Sequence, residues 1–250
     1  MFQTNPFIHP PKLKDILCIK ALVFTSICTI GYYSARAQSH DKPSDEVLQY
    51  LETIGPDALI YQGRAFEEYP YYVEGFAFYK TNQWRNGSVY FDSLLYPEML
   101  LKYDLDKDEV IAYQQELPYP VIIKASKIDW FMLDAETFVH LNKNEKKEIP
   151  ETGFYQQLKK GKANVYIRRT KTIRDEIKDM KSRYWFENQD YYFISIDGIF
   201  HRIRNKGSLV KALEKHKKEV KAFLKSEDLN IRKQPEATIL KAVNYYNILP

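Results

Sequence analysis

Thiols are nearly missing from this chain. Its 250 residues include two cysteines, Cys18 and Cys28, and both fall in an N-terminal stretch that reads as a targeting leader. Without that leader the chain has no disulfide and no cysteine-ligated metal, so its stability in an oxidising compartment must come from its core. Compact catalytic signatures are missing too: there is no Gly-x-Ser-x-Gly elbow, no phosphate loop and no dinucleotide fingerprint. His40, His140, His201 and His216 are scattered, with no pair at metal-ligand spacing. These gaps exclude chemistry carried by a short motif; a triad gathered from distant positions leaves no such trace. Long apolar runs are lacking, and no segment repeats at a fixed period.

The leader has three parts. Lys12, Lys14 and Lys20 make it basic, residues 21–35 carry no charge, and Ala35-Arg36-Ala37 supplies small residues for cleavage. The pattern predicts a signal peptide over residues 1–37, cut before Gln38. The alternatives are an uncleaved anchor and a misjudged start. Fifteen uncharged residues fall short of the roughly 17 to 25 that cross a hydrocarbon core, so no transmembrane span is expected after cleavage. Cys28 follows Thr25-Ser26-Ile27 and lacks the small residue expected before a lipid-attachment cysteine.

Charge changes meaning once the leader is set aside. The whole chain has 37 basic and 33 acidic residues; residues 38–250 keep 33 and 32. An asymmetry survives: residues 41–116 have 6 basic and 15 acidic, residues 121–250 have 27 and 17. One reading is a basic face for an anionic partner, the other two halves that complement each other with the excess solvated. The 213 residues after the leader suit one domain, 38–250.

Residues 82–113 read as an antiparallel meander, with a hairpin turn predicted at Asn86-Gly87 and another at residues 105–108. Ahead of it, Ser44-Asp45-Glu46 before Val47, Leu48, Leu51 and Ile54 predicts a short helix stopped by Gly55. Residues 58–61 read as a strand, and residues 71–73 with 76–79 as another, interrupted at Gly75. Further strands are expected at 121–123, 128–132 and 137–141, then a charged loop at 142–150. A hairpin over 154–170 turns at Lys160-Gly161-Lys162, and Asp197-Gly198 marks another between 191–196 and 199–204. Residues 172–183 mix helical and loop signals. From Ser208, read as an N-cap, Leu209, Leu213, Val220 and Leu224 take helical spacing, and Pro235 opens a last helix. The expected fold is α+β: a β-rich part, 58–204, forming a meander or curled sheet, with a short N-terminal helix and a two-helix C-terminal part, 208–247.

Candidate sites are sparse. Asp104, Asp106 and Asp108 alternate like the first half of a calcium loop, but Glu109 replaces the required glycine and Gln115 the bidentate glutamate. A solvated turn accounts for them, and no metal or other cofactor is expected. Ser208-x-x-Lys211 and Tyr245-x-Asn247 match spacings of penicillin-recognising enzymes, in the wrong order and without a Lys-Thr-Gly. The tyrosines and the three tryptophans suit stacking on sugars or partner side chains, or cross-strand pairing. Trp84, beside the expected turn, Tyr90 and Trp130 are the candidate ligand-binding residues. Lys211, Lys215, Lys218 and Lys221 are candidates for an anionic partner on a basic helix, which reads equally as a helix covering a sheet.

The leader, Gly87-Ser88-Val89-Tyr90-Phe91-Asp92, Leu100-Leu101-Lys102-Tyr103-Asp104, residues 153–161 (GFYQQLKKG) and Tyr245-Tyr246-Asn247 together resemble a family of uncharacterised exported proteins of Bacteroidota-type bacteria. The resemblance covers most of the chain after the leader. It implies a cell-envelope location, periplasmic, outer-membrane-associated or secreted, and brings no catalytic residues. The expectation is a non-catalytic module that binds an envelope protein, glycan or lipid, and not nucleic acid. The alternative is a hydrolase of envelope polymers whose carboxylates are placed by the fold, marked by two close carboxyls in a cleft, one with a raised pKa.

Overall fold

Alternation of inward and outward side chains turns most of residues 64–203 into one sheet. The structure, a computed structural model, describes residues 43–250. The expected leader, its cleavage site, both cysteines and His40 lie outside the described residues. The strands are β1 (Arg64–Ala65), β2 (Val73–Glu74), β3 (Arg85–Phe91), β4 (Leu94–Asp104), β5 (Glu109–Tyr113) and β6 (Val121–Ile122). They continue with β7 (Ile128–Leu133), β8 (Glu136–Leu141), β9 (Gly153–Lys159), β10 (Ala163–Lys178), β11 (Lys181–Ile196) and β12 (Ile199–Ile203). The order is β1-β6-β5-β4-β3-β7-β8-β9-β10-β11-β12, antiparallel throughout, and β2 adds a short parallel pairing to β11. With helices α1 (Asp45–Ile54), α2 (Lys206–Ala212), α3 (Lys217–Ser226) and α4 (Pro235–Ile248), the protein is α+β.

Several turns fall where local chemistry places them. Asp197 and Gly198, with φ of 51° and 80°, join β11 to β12, and residues 105–108 join β4 to β5. Asn86-Gly87 does not turn. Both residues lie inside β3, opposite Leu100 and Met99, and the β3–β4 turn is at Asp92-Ser93, with φ of 52° and 66°. Gly87 serves close approach instead: a Cβ there falls on the Met132 carbonyl oxygen of β7, beside a register shift against β4.

Other expectations also change. Residues 58–61 form no strand; a single 3-10 turn at Leu59–Tyr61 drives Ile60 into the core. In residues 71–79 only β2 is a strand, with one bridge from Phe78 to Asp104. Residues 172–183 extend β10 and β11 to 16 residues each, around a turn at Asp179-Met180. The C-terminal helix expected from Ser208 breaks after Ala212. Its N-cap is Asn205, whose side chain accepts from Ser208 N while Ser208 Oγ accepts from Asn205 N, so Ser208 is the third helical residue.

Two principal cores result. In one, Tyr103, Phe131, Phe138 and Phe154 pack ring to ring, with Phe131 stacked on Phe138 at 4.8 Å, and Ile60, Leu51 and Ile54 close it. In the other, Ala163, Val165 and Ile194 meet Leu209, Leu213, Val220, Ile239 and Val243 of the helical part. Asn247 docks α4 on β10: its Oδ1 accepts from Ala163 N at 2.8 Å and its Nδ2 donates to Ala163 O at 3.0 Å. Tyr245-x-Asn247 thereby has a structural role.

Candidate functional site

The expected aromatic trio does not converge. Tyr90 and Trp130 face each other across β3 and β7, half-buried and stacked at 5.6 Å with an interplanar angle of 8°, a cross-strand pair. Trp84 precedes β3, leans on Tyr113 at 5.6 Å and lies under the Lys102 ammonium at 4.6 Å. Lys102 carries Trp84 to the border of a different feature.

That feature is an aromatic cleft. Residues 66–78 cross the sheet, tied by Phe66 N to Pro120 O, by β2 to β11, and by Leu105 N to Ala77 O. Between this strap, Lys102 of β4 and Phe186 of β11 lies a cleft of about 250 Å³. Its rings are Phe66, Tyr69, Tyr71, Phe76, Phe78 and Phe186, with Glu68, Asn82 and Lys102 as polar groups. Lys102 Nζ sits 4.6 Å above the Phe78 ring and donates to Asn82 Oδ1 at 3.2 Å. Burial lowers its pKa, against the opposing charge of Glu68. A second lysine, Lys171, braces the strap by donating to the Phe76 and Phe78 carbonyls at 2.6 and 2.9 Å.

Asp104 and Asp106 hold this frame from behind, and the solvated turn expected for the three aspartates is corrected by the burial of Asp104. Asp104 is fully buried; its Oδ1 accepts from Asp106 N at 2.9 Å and Lys107 N at 3.0 Å. The Tyr69 hydroxyl faces both Asp104 oxygens and reaches Asp106 Oδ2 at 3.0 Å. Burial raises the Asp104 pKa, and burial followed by the Asp104 charge pushes the Tyr69 phenol far up. Asp108 points elsewhere, accepting from Tyr103 Oη at 2.6 Å and Arg168 at 2.7 Å. The carboxylates therefore do not gather around a common centre. Asp104 and Asp106 both reach the Tyr69 hydroxyl and Asp104 is raised, but neither lines the cleft, so they are not the pair of carboxyls in a cleft that marks the hydrolase; Asp104 orients the Tyr69 ring that walls it.

The basic residues are exposed but do not share a helix. Lys211 is on α2, Lys215 lies in the break with Nζ 3.4 Å from Pro250 O, and Lys218 and Lys221 are on α3. The single basic helix is thus corrected to two short ones, because Leu213 turns into the core. His140 packs on Phe154 at 5.0 Å, its pKa lowered by burial, and His216 Nε2 meets Pro250 O at 3.0 Å. Sequence reasoning missed Tyr69, Lys102 and Phe186. The aromatic density of residues 66–79 was the available signal; nothing local linked it to Phe186.

An open antiparallel sheet flanked by helices, bearing an aromatic cleft with one partly dehydrated cation, defines the class: an α+β protein with a small concave site. No family model, curated protein or solved structure matches this chain.

Proposed function

We propose that the protein is an exported cell-envelope binding module, related to the Bacteroidota-type family named above, that holds an acidic sugar residue in the aromatic cleft. The observation that carries this reading is Lys102. It forms no ion pair among the described residues, burial lowers its pKa, and rings flank it. Aromatic faces stack on the apolar face of a sugar ring, and a partly dehydrated ammonium gains most from a carboxylate. The leader pattern supports export.

The test is titration of the purified protein with an acidic oligosaccharide, oligogalacturonate, and with its neutral counterpart, followed by tryptophan fluorescence. The acidic ligand is expected to bind, and Lys102→Gln to weaken it about tenfold. Equal binding of the neutral sugar removes the role of Lys102, and no binding of either removes the cleft. Shortened oligosaccharide in the mixture favours the hydrolase.

A further inference from the structure

Among the described residues, the distal half of β10 is an open sheet edge whose charges complement themselves. Lys171 N donates to Leu105 O at 3.0 Å, away from the ladder with β11. Backbone alternation then turns the N–H and C=O groups of Ile173, Asp175 and Ile177 to that same side. There β9 pairs with β10 at Val165, Tyr166 and Ile167, and no described strand pairs farther out. The edge is solvated, with Asp175, Glu176 and Lys178 exposed and Ile177 74% exposed.

We propose that a second copy of this chain pairs antiparallel with this edge, the two-fold axis passing through Asp175. In that register Ile173 faces the second copy's Ile177, and Arg174 faces its Glu176, each contact occurring twice by symmetry. Three outward-facing residues per chain exchange backbone hydrogen bonds. Moving the axis one residue either way sets Arg174 against Arg174 or Glu176 against Glu176. Charge thus selects both the register and the partner: a foreign strand meets Arg174, Asp175, Glu176 and Lys178 as a blunted edge, whereas a second copy meets its own complement. One pair is unfavourable, because Asp175 opposes itself at the axis. Pairing at this edge is independent of what the cleft binds.

Sedimentation equilibrium of the purified protein tests it. A reversible dimer is expected. Glu176→Arg and Arg174→Glu each place like charges in both symmetric contacts, so each alone is expected to raise the dimer Kd at least tenfold. An equimolar mixture of the two variants restores Arg–Glu opposition and is expected to form a heterodimer near wild-type strength. Asp175→Asn is expected to tighten the dimer severalfold. Circular dichroism of each variant checks that the hairpin persists. A wild-type monomer up to roughly 1 mM overturns the proposal. So does a dimer indifferent to Glu176→Arg, or a mixture no stronger than its components.

Discussion

Residues 163–169 and 172–178 belong to one strand, pair with the same neighbour and alternate in the same way, yet their side chains meet different surroundings. At the root, Ala163, Val165 and Ile167 are fully buried, and Arg169 joins Gln156, Asp190 and Glu236 at 2.6 to 2.8 Å. At the distal end, side chains stand in water, and the one described ion pair from residues 172–178 is Arg174 with Glu187, both about half exposed. The ladder of backbone hydrogen bonds is common to both halves. What differs is apolar area removed from water, worth about 25 cal/mol per Å², so ladder continuity alone says little about local stability.

The sharpest way to break this comparison is one substitution made twice. Ile167→Ala at the root is expected to cost about 2–5 kcal/mol in denaturant unfolding, through lost burial and a residual cavity. Ile177→Ala at the distal end should change the stability of the monomer, measured at protein concentrations below the dimer Kd, by less than about 0.5 kcal/mol. Equal losses at that dilution would mean that the hairpin tip is packed within the monomer.

A second pair of substitutions asks the same of charge. Arg168 is buried and donates to Asp108 at 2.7 Å and to Phe154 O at 3.0 Å. Arg168→Met leaves Asp108 without its cation and should cost about 3 kcal/mol, much of it recovered when Asp108→Asn is added. Arg174→Met, which in the monomer loses a solvated pair, should stay within about 1 kcal/mol at protein concentrations below the dimer Kd. Thermal melts of the three variants check the ranking.

The smallest effects lie in the pH dependence of two acids set in contrasting places. Burial raises Asp104, which forms no ion pair among the described residues. Its unfolded form therefore ionises first, and its contribution falls as pH climbs from the ordinary carboxyl range through the raised value. Asp104→Asn should flatten that decline, since an amide oxygen still receives Asp106 N and Lys107 N. Burial also pushes Glu136 upward, but Lys80, Tyr79 and Arg85 outweigh it and hold the carboxyl low. Its stabilisation is complete above the ordinary range and is lost as pH falls through the lowered value. Glu136→Gln should remove that acid-side loss. Denaturation midpoints between about pH 3 and 7 separate the two signs.

Much of the fold was legible because turns and strand periods are local. Asp197-Gly198 turned as expected, and Asp-Gly tolerates the positive φ that a tight turn demands. Asn86-Gly87 carried an equally strong signal and misled, because the small size of Gly87 answers to Met132 on β7, 45 positions later. Residues 172–183 gave no strand signal: exposed on both faces, they need no apolar alternation, and pairing alone keeps them extended. The site was less legible. Its strap showed as aromatic density, but Phe186 reaches it through the pairing of Trp185 with Glu74, 111 positions apart, and Lys102 reaches it from β4, 24 positions after Phe78.

By itself, the sequence determined that the chain after its expected leader is thiol-free, that an antiparallel sheet precedes two C-terminal helical regions, and where most reversals fall. Those properties depend on backbone dihedrals and side-chain period within a few residues. Only the tertiary structure decided that Asp104 props a tyrosine, that Asp108 belongs to Arg168, that Trp84 and Trp130 part company, and that half of one long strand has an edge on which no described strand pairs. Each of these depends on which distant groups remove water from a side chain or a backbone amide, and no short window of sequence holds both members of such a pair.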